Sequence, residues 1–298
     1  MRPLRPHRLF CLLLAFLLAA CAAPAGAYLP SPTSTALPSA TPLPSATPAP
    51  TRAPSPTPPP CRDQNGSAAE IQVQAAGLPA PLAARVHLPP CFDPAAATPY
   101  PVLYLLHGQG FNADQWERLG APAVLDRLTA AGEIQPIILV LPEEADTSAN
   151  PFESPFGSAL VDSLLPAVEQ AYPACAERAC RAIGGLSRGA SWAVYLGFSH
   201  PAEFAAVGAH SFPPFNGLQA RFQGLVSTVP VDQLPALSID IGMGDRYRSA
   251  AAEFETYLTQ IGVPHEWYLN QGEHDETYWA AHVEEYIRWY ASQFIPLQ

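Results

Sequence analysis

The sequence predicts an α/β fold: a mostly parallel sheet with an antiparallel N-terminal edge and helices on both faces. Two patterns predict it. Short, fully apolar runs recur from Val102 onward and alternate with helix-like stretches. That is how strands look when crossover helices bury both faces of their sheet. Two more polar runs come before them, as suits an edge hairpin with one face in solvent.

In chain order, Ile71–Ala75 and Arg85–Leu88 are the polar edge strands. Val102–Leu106 and Ile137–Leu141 are the first buried strands, and Ala113–Ala131 between them reads as helix. Helix-like Ser158–Ala171 leads to strand Arg181–Leu186, which runs directly into helix-like Ala190–Ser199. Strands Ala205–Ala209, Leu237–Ile241 and His265–Leu269 follow, with helix-like Ser249–Ile261 and Glu276–Phe294 after the last two.

These elements lie in residues 61–298, and what precedes them has another character. Residues 1–20 place Arg2, Arg5 and Arg8 ahead of an apolar run from Leu9 to Ala20. A basic start and a short apolar run read as an export signal, too short for an ordinary membrane span. The run ends Leu18-Ala19-Ala20-Cys21, which resembles the bacterial lipobox, where a Cys after small residues becomes a lipidated N-terminus. Two or more acyl chains would anchor the protein stably to the outer face of the membrane, in the bacterial cell envelope. The alternative is a plain signal peptide cut near Ala25 or Ala27. Residues 21–60 are rich in Pro, Thr, Ser and Ala, with Arg52 as their one charge. Such a segment cannot build a core and reads as an extended spacer.

Of six cysteines, Cys61, Cys91, Cys175 and Cys180 lie in the folded part. An even number in an exported domain suggests two disulfides, and chain order favours Cys61–Cys91 and Cys175–Cys180. Zinc is the alternative, but no His stands at ligand spacing from either pair. The chain carries 15 Lys+Arg against 26 Asp+Glu, a net charge of -11. That argues against a nucleic-acid partner, since phosphate binding needs clustered cations.

The chemistry concentrates at Gly185-Leu186-Ser187-Arg188-Gly189. This Gly-x-Ser-x-Gly run follows a buried strand and opens a helix, the strand–turn–helix setting in which a serine hydroxyl is held exposed on a sharp turn. A serine needs a base to take its proton and a carboxylate to orient that base. His274 lies after the last strand and before the last helix, where a loop brings an imidazole over the strand ends. Asp245 leaves strand Leu237–Ile241 through Gly242-Met243-Gly244. Asp240 is its rival but lies within the strand, with its side chain directed at a sheet face. Asp275 suits a helix N-cap. A tetrahedral oxyanion needs two backbone N–H donors, assigned to Arg188 and to Gln109, with Gly110 as the alternative, in the loop His107-Gly108-Gln109-Gly110. His107 reads as a packed residue.

Together these motifs resemble the esterase D and feruloyl-esterase-like family of the α/β-hydrolases. The resemblance rests on Pro101–Gly108, Trp116, Leu164-Leu165-Pro166, Arg181–Ser187, His200-Pro201, Gly244-Asp245 and Gly272-Glu273-His274 in family order, over roughly Ile71 to Phe294. It implies the α/β-hydrolase fold, a triad of Ser187, Asp245 and His274, and oxyanion donors at Gln109 and Arg188. It implies a serine carboxylic-ester hydrolase that needs no metal or cofactor. One departure stands out: family members often carry Met-Gly-Gly after the serine, whereas this chain has Arg188-Gly189-Ala190. The Arg188 cation is expected to alter substrate preference or to pair with Glu143 or Glu144.

The substrate is expected to be an extracellular acyl, feruloyl or acetyl ester, small or linked to a polysaccharide. Trp116, His210, Ser211 and Phe212 are candidate substrate-binding residues, with Phe152, Phe156 and Phe215 as further loop aromatics. Two other readings stay open: an acyltransferase of the mycolyltransferase type, and a non-catalytic surface binding protein on a hydrolase scaffold.

Overall fold

The computed structural model describes residues 63–296. The export signal, Cys21, the spacer and Cys61 lie outside the described residues, and with Cys61 so does the expected Cys61–Cys91 pair. The strands are β1 (Ser67–Val73), β2 (Leu82–Leu88), β3 (Val102–Leu106), β4 (Ile138–Pro142), β5 (Arg181–Leu186), β6 (Ala206–His210), β7 (Ala236–Gly242) and β8 (Glu266–Asn270). They form one sheet in the order β1-β2-β4-β3-β5-β6-β7-β8. β1 pairs antiparallel with β2 and β2 with β4, and every later pairing is parallel. This is the α/β-hydrolase arrangement, with the polar hairpin at the edge as expected.

The helices are α1 (Gln115–Arg118), α2 (Ala121–Ala130), α3 (Phe156–Ala159), α4 (Leu165–Ala171), α5 (Arg188–Ser199), α6 (Leu218–Val226), α7 (Arg248–Gln260) and α8 (Glu276–Gln293). Successive side chains of a strand point to opposite faces, and β3 shows the result. Val102, Tyr104 and Leu106 join a core layer with Trp192 and Leu196 of α5 and Phe254 of α7. Leu103 and Leu105 join the opposite layer with Leu125 and Leu128 of α2 and Ile287 of α8. No helix among the described residues is long and apolar enough to cross a membrane.

Three differences from the expected elements have local causes. The stretch expected as one helix from Ala113 breaks at Leu119–Gly120, and α2 restarts with Pro122 in its first turn, where a missing N–H costs nothing. Between α3 and α4, Leu160–Leu164 winds as a wider π-type turn, ahead of Pro166, which cannot donate a helical hydrogen bond. Helix α6 was not expected, because its inward face is only Leu218 and Phe222.

Two features fix the strand that carries the serine. The Arg181 guanidinium, at the start of β5, reaches Glu169 of α4 at 2.6 Å and Glu203 at 2.5 Å. Cys175 and Cys180 form the expected disulfide, with Cα atoms 5.9 Å apart, closing the turn before β5.

Candidate active site

Ser187 sits between β5 and α5 at φ 53° and ψ -123°, a backbone setting that non-glycine residues adopt only where the surroundings enforce it. The two flanking glycines are part of that enforcement. A Cβ on Gly185 would meet the Gly189 carbonyl, and one on Gly189 would meet the Leu106 carbonyl. The Ser187 N–H is tied to the His210 carbonyl at 2.9 Å.

His274, in the loop between β8 and α8, reaches Ser187 Oγ through Nε2 at 2.9 Å. Its Nδ1 lies 2.8 Å from Asp245 Oδ2. A carboxylate only accepts, so Nδ1 carries the proton and Nε2 is left to accept from the serine hydroxyl. The rings of Tyr247 and Trp279 pack edge-on against the imidazole at 4.9 and 5.2 Å, which fixes its plane. Asp245 lies in the loop after β7. Burial pushes its carboxyl up, but hydrogen bonds from His274, the Tyr247 N–H and Ser211, with attraction to His274, hold it below its ordinary value. It therefore stays ionised, the form that can orient an imidazole.

The loop after β3 forms the facing wall. Gln109 borders the cleft beside Ser187, in a space of about 590 Å³ shared with Phe111, Arg246, Tyr247 and Trp279. This wall is braced from behind. Gln115, wholly buried, accepts the Gly108 N–H at 2.8 Å and donates to Glu276 at 3.2 Å. Glu276 in turn accepts from Arg118 through both oxygens, at 2.8 and 2.9 Å. Arg188 opens α5, so its N–H belongs to the first turn, where helical N–H groups lack an intrahelical acceptor.

The Arg188 side chain points elsewhere. Its guanidinium is buried against Glu144 in a two-pronged contact of 2.8 and 2.6 Å, and also donates to the Ala149 carbonyl at 3.0 Å. Of the two expectations, pairing with Glu144 is what the geometry shows, and the side chain does not border the cleft. Glu143 instead accepts the Ala113 N–H at 2.5 Å.

The expected substrate-binding residues need correction. Trp116 is 1 % exposed and its indole N–H donates to the Leu106 carbonyl at 3.0 Å, so it supports the end of β3. His210 is 2 % exposed, held between Asp240 at 2.5 Å and the Tyr290 hydroxyl at 2.9 Å. Phe212 is fully buried against Phe254. Phe156 is buried against Trp192, and Phe152 and Phe215 pack on each other. Ser211 is buried too, but it reaches the site indirectly: it accepts from Trp279 Nε1 at 2.9 Å and supports the Asp245 carboxylate. Asp240 faces the sheet's α8 side, where Tyr278 and Tyr286 donate to it at 2.7 and 2.8 Å. Asp275 caps α8 on the Tyr278 N–H at 3.0 Å, and His107 is packed, accepting the Glu144 N–H at 2.9 Å.

Sequence reasoning missed Phe111, Gln115, Arg246, Tyr247 and Trp279. A signal existed for three of them. Arg246 and Tyr247 follow Asp245 directly, and Trp279 lies one turn into the helix after His274, so they had to stand near the acid and base.

Comparison with known proteins finds esterases. An "Endo-1,4-beta-xylanase/feruloyl esterase" of Xylanibacter ruminicola is 36 % identical over 100 residues, 30 % of this chain and 13 % of that protein. An esterase of Mycobacterium tuberculosis is 34 % identical over 157 residues, 50 % of this chain and 32 % of that protein. The chain thus spans a third or less of these curated relatives. A solved ferulic acid esterase superimposes with a TM-score of 0.68 at 26 % identity, covering 77 % of this chain and 99 % of that one. Residues 75–296 match the family model described as "Putative esterase", and the chain belongs to that family.

Proposed function

We propose that this protein is a serine carboxylic-ester hydrolase that works through an acyl-enzyme. The observation that carries the reading is the unbroken hydrogen-bond chain Ser187 Oγ–His274 Nε2 at 2.9 Å and His274 Nδ1–Asp245 Oδ2 at 2.8 Å, opening on a cleft. In this reading Ser187 Oγ attacks the ester carbonyl carbon while its proton passes to His274 Nε2. Ionised Asp245 stabilises the imidazolium. The backbone N–H groups of Gln109 and Arg188 receive the developing oxyanion. The tetrahedral adduct collapses, and His274 returns the proton to the departing alcohol. Water then enters, gives a proton to His274, and attacks the acyl-serine. The acid is released and Ser187 regains its hydrogen.

The substrate class we propose is an extracellular acyl, feruloyl or acetyl ester, reached by an exported enzyme anchored through Cys21. The similarity to feruloyl and ferulic acid esterases supports an aromatic acyl group, and Phe111, Tyr247 and Trp279 offer it apolar surface. Ser187→Ala tests the reading. Turnover of 4-nitrophenyl butyrate should fall to background while the circular dichroism spectrum is unchanged; retained turnover would refute it.

A further inference from the structure

Arg246 borders the cleft with Ser187 and His274, and neither the triad nor the oxyanion donors use it. The chain contains no lysine, so all its 15 basic side chains are arginines. Among the described residues, six other arginines pair with carboxylates. Two more donate to backbone carbonyls, and Arg221 rests on the Phe152 ring at 4.3 Å. Arg246 has no carboxylate or carbonyl acceptor there, although the chain has 26 acidic residues. Its guanidinium lies over the Tyr247 ring at 5.0 Å, and Tyr247 packs on the His274 ring at 4.9 Å. Stacking of this kind orients the guanidinium and leaves its N–H groups free to donate.

The two acidic side chains that border the cleft, Asp275 and Glu276, have other partners. Glu276 has both oxygens committed to Arg118, and the Asp275 carboxylate caps α8. The 18-residue helix α8 also begins here, and its N-terminal dipole adds positive potential to the same wall.

We propose that Arg246 sets the specificity of the site by binding an oxyanion, a carboxylate or phosphate, carried by the ester at a distance from its reacting carbonyl. The proposal deepens the esterase reading and rests on it. The anion lies on the part of the substrate that runs along Tyr247, in either the acyl or the alcohol half. A forked guanidinium matches either oxyanion with two parallel hydrogen bonds.

Two matched pairs of esters test it. 4-Nitrophenyl hemiglutarate against 4-nitrophenyl methyl glutarate places the charge on the acyl half. The butyryl ester of 4-hydroxybenzoate against that of its methyl ester places it on the alcohol half. In each pair the anionic-to-neutral ratio of kcat/KM is compared between the protein, Arg246→Gln and Arg246→Lys, which removes intrinsic reactivity from the comparison. The ratio should fall about fivefold to tenfold in Arg246→Gln for one pair, through KM, and recover in part in Arg246→Lys. Ratios unchanged within about twofold in both pairs would overturn the assignment. Four inert esters would refute the esterase reading instead. Arg246 is then decided by calorimetric titration of Ser187→Ala with each of the two anionic esters, with and without Arg246→Gln. Binding of either about fivefold to tenfold weaker without the arginine sustains the proposal, and equal binding of both overturns it.

Discussion

Glu144→Ala strands a buried cation one residue from the proposed nucleophile. The Arg188 and Glu144 side chains are only 10 % and 5 % exposed, and two contacts of 2.8 and 2.6 Å join them. Removing one partner of such a pair leaves an uncompensated charge and costs about 3–5 kcal/mol. In a domain of this size each kcal/mol shifts Tm by about 2–4 °C. Glu144→Ala should therefore lower Tm by about 6–20 °C, read by circular dichroism and by the denaturant midpoint. The Ala149 carbonyl, the Trp192 ring at 5.9 Å and the Phe215 ring at 5.4 Å remain around the guanidinium, but none of them is a counter-charge. Replacing both partners with apolar residues, Arg188→Met with Glu144→Leu, should restore most of the loss, because the desolvation cost of two ions disappears with them. A single-variant loss below about 1 kcal/mol, or a double variant no more stable than Glu144→Ala, would refute the reasoning.

Two further outcomes follow from the same geometry. Asp245→Asn should lower kcat by on the order of 10³- to 10⁴-fold in ester turnover, because an amide no longer fixes the imidazole with its proton on Nδ1. Asp245 is also held below its ordinary value, so its ionised form favours the folded state. That stability is complete above about pH 3.9 and is lost as pH falls through the lower folded-state value. The gap in denaturant midpoint between the protein and Asp245→Asn should thus be flat from about pH 5 to 7 and narrow below about pH 4. Tyr290→Phe removes the hydroxyl that meets His210 Nε2 at 2.9 Å and leaves a buried imidazole nitrogen unpaired. Stability should drop by about 1–3 kcal/mol, measured by denaturant unfolding, with kcat lowered far less than by Asp245→Asn.

Much of this fold was legible because its strands are buried on both faces. Val102–Leu106 and Arg181–Leu186 run with the bounds expected from their sequence, since strands sandwiched between helix layers read as almost continuous apolar runs. The half-exposed edge was harder. β1 begins at Ser67, four residues before the expected start, because its residues alternate with solvent and only their pairing with β2 marks them as strand. Ser187, His274 and Asp245 were legible for a different reason: each closes a strand and stands in a glycine-containing loop, and chain order left few rivals. The walls of the cleft were not. Trp116, His210 and Phe212 were expected to line the substrate site, but the core claims all three large side chains. Whether such a side chain points inward or outward depends on α8 and on the β3 loop, 158 residues apart for the Arg118–Glu276 contact, and no local pattern encodes that.

The central claim is that Ser187 is a nucleophile activated by His274. Labelling with a fluorophosphonate probe tests it most directly, because the probe forms a covalent bond only with an activated serine and requires no knowledge of the natural ester. Intact mass and peptide mapping should show one adduct per chain, on Ser187, formed at least 100-fold more slowly in His274→Ala, on the order of the loss when a general base is removed. No adduct, an adduct on another serine, or equal labelling in His274→Ala would contradict the account.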